Sequence, residues 1–156
     1  MEIHHLSADN SVLNRFLAEI RDVSIHADSM RFRRNIERIG EVMAYELSRQ
    51  LHYRDTEIQT PLGLKKSTEI SDPLVICSIL RAGLPLHTGF LNVFDGAENG
   101  FVSAYRHHPN NDDYFDIKVE YQAIANINGK TLVLVDPMLA TGQSRVAVYN
   151  RLMERG

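Results

Sequence analysis

Apolar positions recur along this chain with two different periods. In the first third the period is helical. Within residues 9–20, Val12, Leu13, Phe16, Leu17 and Ile20 return every three or four positions, and either Asp9 or Ser11 can serve as the N-cap. Residues 29–51 predict a longer helix, with Phe32, Ile36, Ile39, Val42, Met43 and Leu47 on one face. Arg31, Arg33, Arg34, Glu37, Arg38, Glu41 and Glu46 fill the other, which reads as a solvated face. The pattern then changes. Residues 56–60 predict a short strand that runs into the turn Pro61-Leu62-Gly63. Leu74–Leu80 is an unbroken apolar run between Pro73 and Gly83, as expected of a strand covered on both faces in a parallel sheet.

Residues 83–93 predict a helix, with Pro85 tolerated in its first turn. Residues 101–105 predict another strand, and residues 117–121 alternate like a hairpin arm or a sheet edge. Thr131-Leu132-Val133-Leu134-Val135 predicts a second buried strand, and the helix expected after residue 144 carries Val146, Val148, Tyr149, Leu152 and Met153 as its apolar positions. Strands that alternate with helices predict an α/β domain on a largely parallel sheet. Ligands of such sheets bind beyond the carboxyl ends of the strands, which here means the loops after Leu80, Tyr105 and Val135.

Composition narrows the class. A chain of 156 residues fits one domain and can bury a core without metal or disulfide staples. Seventeen Lys and Arg against 20 Asp and Glu leave a net charge of −3, which counts against a dedicated nucleic-acid binder. The one cysteine, Cys77, lies inside the first apolar strand and reads as inert core packing. The start Met1-Glu2-Ile3-His4-His5 has no apolar signal region, and no apolar run is long enough to span a bilayer. A cytoplasmic protein with no membrane partner is therefore expected, and His4-His5 reads as part of a solvated arm.

The segment after Val135 carries the most chemistry. A buried strand delivers the carboxylate of Asp136 to the sheet end, a loop of small residues follows, and Thr141-Gly142-Gln143-Ser144 opens a helix. A helix N-terminus offers unpaired N–H groups and a positive dipole end, which suit a phosphate. Gly142 allows close approach, and the Thr141 and Ser144 hydroxyls add donors. Hydroxyls at a helix start are ordinarily just caps, and no Gly-Lys-Ser/Thr marks a P-loop.

Taken whole, the run Val133-Leu134-Val135-Asp136-Pro137-Met138-Leu139-Ala140-Thr141-Gly142-Gln143-Ser144 resembles the phosphoribosyl-pyrophosphate (PRPP) loop of the type I phosphoribosyltransferases. Its Asp-Pro-Met-Leu-Ala-Thr form resembles the uracil phosphoribosyltransferase family in particular. Ser78-Ile79-Leu80-Arg81-Ala82-Gly83-Leu84 resembles that family's pyrophosphate-binding segment, and Ala104-Tyr105-Arg106 the start of its mobile catalytic loop. Arg31-Phe32-Arg33 through Tyr45-Glu46 resembles its N-terminal helix.

The resemblance implies a central parallel β-sheet flanked by helices, with N-terminal helices and a β-hairpin and mobile loop. It implies that uracil and PRPP react to give UMP and pyrophosphate, with Asp136 and Arg106 as the catalytic pair. Asp136 would meet the ribose hydroxyls, and Pro137, Met138, Leu139, Ala140, Thr141, Gly142, Gln143 and Ser144 would line PRPP. Residues 140–144 would hold the 5′-phosphate mainly through backbone N–H groups. Arg81 and Arg106 would engage the pyrophosphate, a role suited to a guanidinium fork. Mg2+ would arrive bound to PRPP and water, and a homodimer or higher assembly is implied.

Residues 107–114 are polar and turn-rich, and by the same resemblance would close over PRPP. A metal site from His107, His108, Asp112 and Asp113 is disfavoured, because adjacent histidines seldom point the same way.

Two departures from the family pattern stand out. Gln143 occupies a place where a small residue is common, which is tolerable if its side chain points outward. The chain is also expected to be one phosphoribosyltransferase domain, residues 1–156, incomplete at its C-terminal end, so that no residue is assigned to uracil. An open neighbour position beside the strand at 131–135 would then favour association between chains. The other readings are a PRPP- or UMP-sensing regulator that binds RNA, and a transferase for a different base.

Overall fold

The structure, a computed structural model, describes residues 2–107, 116–138 and 142–154, with 105–107 and 116–119 as backbone. The elements run α1 (Val12–Arg21), α2 (Ser29–Ser48), β1 (Tyr53–Thr60), β2 (Gly63–Ile70), β3 (Leu74–Leu80), α3 (Leu84–Val93), β4 (Glu98–His107), β5 (Asp116–Ala123), β6 (Thr131–Val135) and α4 (Gln143–Met153). Ser11 is the N-cap of α1 and accepts from the Leu13 N–H, so of the two expected caps it is the serine that acts. Asp28 caps α2 by accepting from the Met30 and Arg31 N–H groups at 3.1 and 3.0 Å.

Four strands form the main sheet in the order β5-β4-β3-β6. β3 runs parallel to both β4 and β6, and β5 pairs antiparallel with β4 at the outer edge. The apolar run of β3, interrupted only by Ser78, has its explanation here, since it has a strand on each side and a packed layer on each face. Leu74 and Ile76 join Leu13, Ile36, Ile39, Leu86 and Phe90 on the α1–α2–α3 side. Cys77 and Ile79 join Val102, Val148 and Leu152 on the α4 side. Even and odd positions thus part to opposite layers, as a pleated strand requires. Burial pushes the Cys77 thiol up to about 11, in keeping with an inert core group.

Three expectations need correction. β6 is half-buried along most of its length, because among the described residues it is an edge of the sheet. On α4, Val148 and Leu152 are buried while Val146, Tyr149 and Met153 stand exposed; only one rung of the helix meets the sheet. On α2 the buried positions are Asn35, Ile36, Ile39, Gly40 and Ala44, whereas Phe32 and Met43 remain 38% and 36% exposed.

The reason lies at the α2–α3 crossing. A methyl on Gly89 would overlap the Glu37 carbonyl oxygen and sit 2.9 Å from Gly40 Cα. A methyl on Gly40 would lie 2.6 Å from the Leu86 carbonyl oxygen. The two backbones touch, so the contact falls on small residues beside the apolar stripe rather than on the stripe itself. Asn92 seals the same seam, donating to Glu41 Oε1 at 2.8 Å and Glu37 Oε1 at 3.1 Å.

β1 and β2 form a separate hairpin with Tyr53 opposite Ile70 and Thr60 opposite Gly63. Pro61 and Leu62 make the turn, and Gly63 at φ 131° takes a conformation that side-chain-bearing residues avoid. Asp72 fastens the hairpin base, accepting the His52 N–H at 2.6 Å and lying 3.0 Å from its ring Nδ1. Those contacts, the backbone one first, hold the Asp72 carboxyl below its ordinary range. Between α1 and α2, Glu19 accepts from Asn35 Nδ2 at 2.8 Å and from Arg15 Nε at 3.2 Å, and is likewise lowered, by Asn35 foremost. No helix among the described residues is long and apolar enough to cross a membrane.

Candidate active site

Parallel pairing brings three chain segments to one end of the sheet. Ser78 stands opposite Val135 and Leu80 opposite Ser103, so β3, β4 and β6 all point their carboxyl ends the same way. β3 stops at Leu80 and β6 at Val135, while β4 continues past them to His107. Arg106 lies on that extension and pairs through its backbone register with Ile117 of β5.

After Leu80 the chain turns back on itself. The Leu80–Arg81 peptide bond is cis, the Gly83 N–H donates to the Ile79 carbonyl at 3.0 Å, and Gly83 becomes the N-cap of α3. A methyl on Gly83 would overlap Ser78 Oγ, lie 2.6 Å from the Ile79 carbonyl oxygen and 3.0 Å from that of Val135. The turn therefore sits directly on the ends of two strands, and only glycine fits there. Arg81 is left exposed at the rim. Ser78 Oγ is shielded from solvent and has no hydrogen-bond partner among the described residues.

Asp136 follows β6 without an intervening residue. Its Oδ1 accepts the Met138 N–H at 3.1 Å, a local turn that aims the carboxylate. Arg145, from the first turn of α4, donates from Nη2 to the Asp136 carbonyl at 2.7 Å, and its Nε lies 3.6 Å from Asp136 Oδ2. Gly142 caps α4 with φ 75°, a left-handed conformation in which a Cβ is strained. The Gln143 side chain is exposed and Ser144 is half-buried. Pro137 is half-buried and Met138 exposed, whereas Leu139, Ala140 and Thr141 lie outside the described residues, as do residues 108–115 of the polar loop.

Arg81, Asp136, the backbone of Arg106 and the start of α4 are thus gathered at a single sheet end. Arg145 is the residue that the reading of the sequence passed over. A signal was present, because a cation in the first turn of a helix opposes the dipole and calls for another partner. Among the described residues no group of three His, Cys, Asp or Glu side chains could cage a metal.

Comparison with known proteins identifies the family. Residues 7–156 match the family described as uracil phosphoribosyltransferase. A uracil phosphoribosyltransferase of Porphyromonas gingivalis is 51% identical over 156 residues, covering 100% of this chain and 72% of the relative. One from Methanothermobacter thermautotrophicus is 37% identical over 150 residues, covering 95% of this chain and 67% of the relative. The solved structure of the AQ2163 protein from Aquifex aeolicus shares the fold, with a TM-score of 0.79 at 24% identity over 99% of this chain and 69% of that one. With a family match over nearly all of its length and a relative 51% identical across the whole chain, the chain belongs to the uracil phosphoribosyltransferase family.

Proposed function

We propose that this chain binds PRPP at the carboxyl end of β3, β4 and β6 and transfers its phosphoribosyl group to uracil, yielding UMP and pyrophosphate. The observation that carries this reading is the placement of Asp136 between the end of β6 and the glycine-capped start of α4. One short loop then offers an acceptor for ribose hydroxyls and a row of N–H donors for the 5′-phosphate. Arg81, on the turn that Gly83 presses against the same strand ends, is the counter-charge for the pyrophosphate, and Arg106 joins it from β4. As the bond at the anomeric carbon breaks, positive charge grows on the ribose and negative charge on the leaving group. Donors that meet that leaving group would lower the barrier chiefly by positioning and electrostatic stabilisation. Mg2+ carried on PRPP would supply further charge neutralisation at the pyrophosphate oxygens.

The same reading takes the protein to be a cytoplasmic enzyme with small-molecule partners, in line with its net charge of −3. It also takes it to be a homodimer or higher assembly. Support comes from the hairpin, which carries Ile58, Leu62 and Leu64 exposed on an isolated pair of strands. A lone two-stranded hairpin is marginal in water and gains most from a cover.

Titration calorimetry with Mg2+–PRPP tests the site. Saturable binding is expected, with at least a tenfold loss in Asp136→Ala. A folded chain that binds no PRPP would overturn the proposal. Product analysis with uracil and hypoxanthine offered together then tests the base.

A further inference from the structure

We propose that Arg145 is the positioning residue for Asp136, setting the carboxylate that meets the ribose hydroxyls; this rests on the reading of Asp136 just given. The geometry is a clip. Arg145 and Asp136 stand at the two ends of the loop between β6 and α4, and one guanidinium reaches both the Asp136 carbonyl, at 2.7 Å, and Oδ2, at 3.6 Å. The planar fork is what allows one side chain to hold a carbonyl and a carboxylate together. The Nε atom is shielded from solvent and makes no hydrogen bond among the described residues; Asp136 Oδ2, 3.6 Å away, is its ion-pair partner.

The clip leaves the carboxylate usable. Among the described residues, Asp136 Oδ1 accepts one hydrogen bond, from the Met138 N–H, and Oδ2 lies in ion-pair range of Arg145. A carboxylate has about four acceptor sites, so room remains for two ribose hydroxyls. Arg145 thus fixes direction while the ligand takes the acceptor sites that remain. It also sets the spacing between Asp136 and the N–H groups at the start of α4, which matters because a sugar phosphate must satisfy both at once.

A double-mutant cycle on ribose 5-phosphate binding separates this role from a direct phosphate contact. Arg145→Met in the otherwise native chain should weaken binding about tenfold, and in an Asp136→Asn background by less than about threefold. Arg145→Lys should recover part of the loss, since an ammonium carries the charge but not the fork. An equal loss in both backgrounds would mean that Arg145 touches the phosphate itself, and no loss in either would mean that it is ornamental to binding; each result overturns the proposal. Should Arg145→Met fail to fold, Arg145→Lys carries the same cycle, with its partial loss expected to vanish beside Asp136→Asn. If the native chain binds neither ribose 5-phosphate nor Mg2+–PRPP, the reading of the site falls first and the inference falls with it. If the native chain binds and the Arg145 variants match it, the inference alone falls.

Discussion

Two loops leave neighbouring parallel strands at the same sheet end, and they are held in different ways. The turn after β3 is held by contact. Gly83 lies against the Ile79 and Val135 carbonyls with no room for a methyl. The loop after β6 is held by polar groups, with Arg145 and the Met138 N–H gripping Asp136 from two sides. Both helices that follow begin at a glycine and neither is capped by a side chain. Gly83 has ordinary helical angles and is required for space, whereas Gly142, at φ 75°, is required for backbone direction. A turn fixed by packing gives one position for Arg81 and cannot be retuned piecemeal. A loop fixed by charges can be loosened one side chain at a time.

The contrast can be broken most sharply at Gly83. Gly83→Ala should cost about 3 kcal/mol, as overpacking against backbone does, and lower the thermal midpoint by roughly 8 °C. Thermal unfolding measures it; a fall of no more than a degree would show that the turn yields and is not held by contact. Gly142→Ala should cost less, about 1–2 kcal/mol for a Cβ in the left-handed region, but should weaken PRPP binding more than it lowers stability. Parallel titration and melting curves would show whether the two effects separate in that order.

A weaker expectation concerns acid. Asp72 and Glu19 have their folded-state values lowered, so the unfolded chain takes up their protons first as pH falls. Their contribution to stability is present above the ordinary values of 3.8 and 4.5 and is lost as pH drops through the lowered ones. Asp72→Asn should therefore flatten the loss of stability between about pH 5 and pH 3. Denaturant midpoints across that interval test it, and an unchanged slope would deny Asp72 a part. The smallest effect belongs to Gln143→Gly. With the Gln143 side chain exposed, the change should move PRPP affinity by less than about threefold, as surface substitutions generally do.

Much of the frame was legible in the chain. β3, α3 and the helical stripe of α1 follow directly from apolar period and from Pro85 and Ser11 at helix starts. β2 was not, because Lys65, Lys66 and Glu69 break any apolar alternation in a strand whose faces are mostly exposed. Asn35 was not expected inside, yet it is buried, because its amide finds the Glu19 carboxylate from α1. Half of the α4 stripe looked internal and is not, since periodicity reports which residues share a face but not how much of that face has a neighbour. In the site, Asp136, Gly142 and Arg81 could be picked out because each follows a strand or opens a helix. Arg145 offers only the weak signal of a cation at a helix start, because its partner lies nine residues back and the sequence does not show the pairing.

The glycine seam between α2 and α3 carries a mechanical consequence. Where the α2 and α3 backbones meet at Gly40 and Gly89 there is no side-chain layer to shear, so the two helices are expected to move as one piece. The amino end of α3 begins at Gly83, beneath Arg81, and its orientation is thereby referenced to α2, far back in the chain. Amides around 37–41 and 86–89 should be among the slowest to exchange with solvent deuterium. A lesion that loosens α2 would be registered at the Arg81 turn, although no residue of α2 lies in that turn.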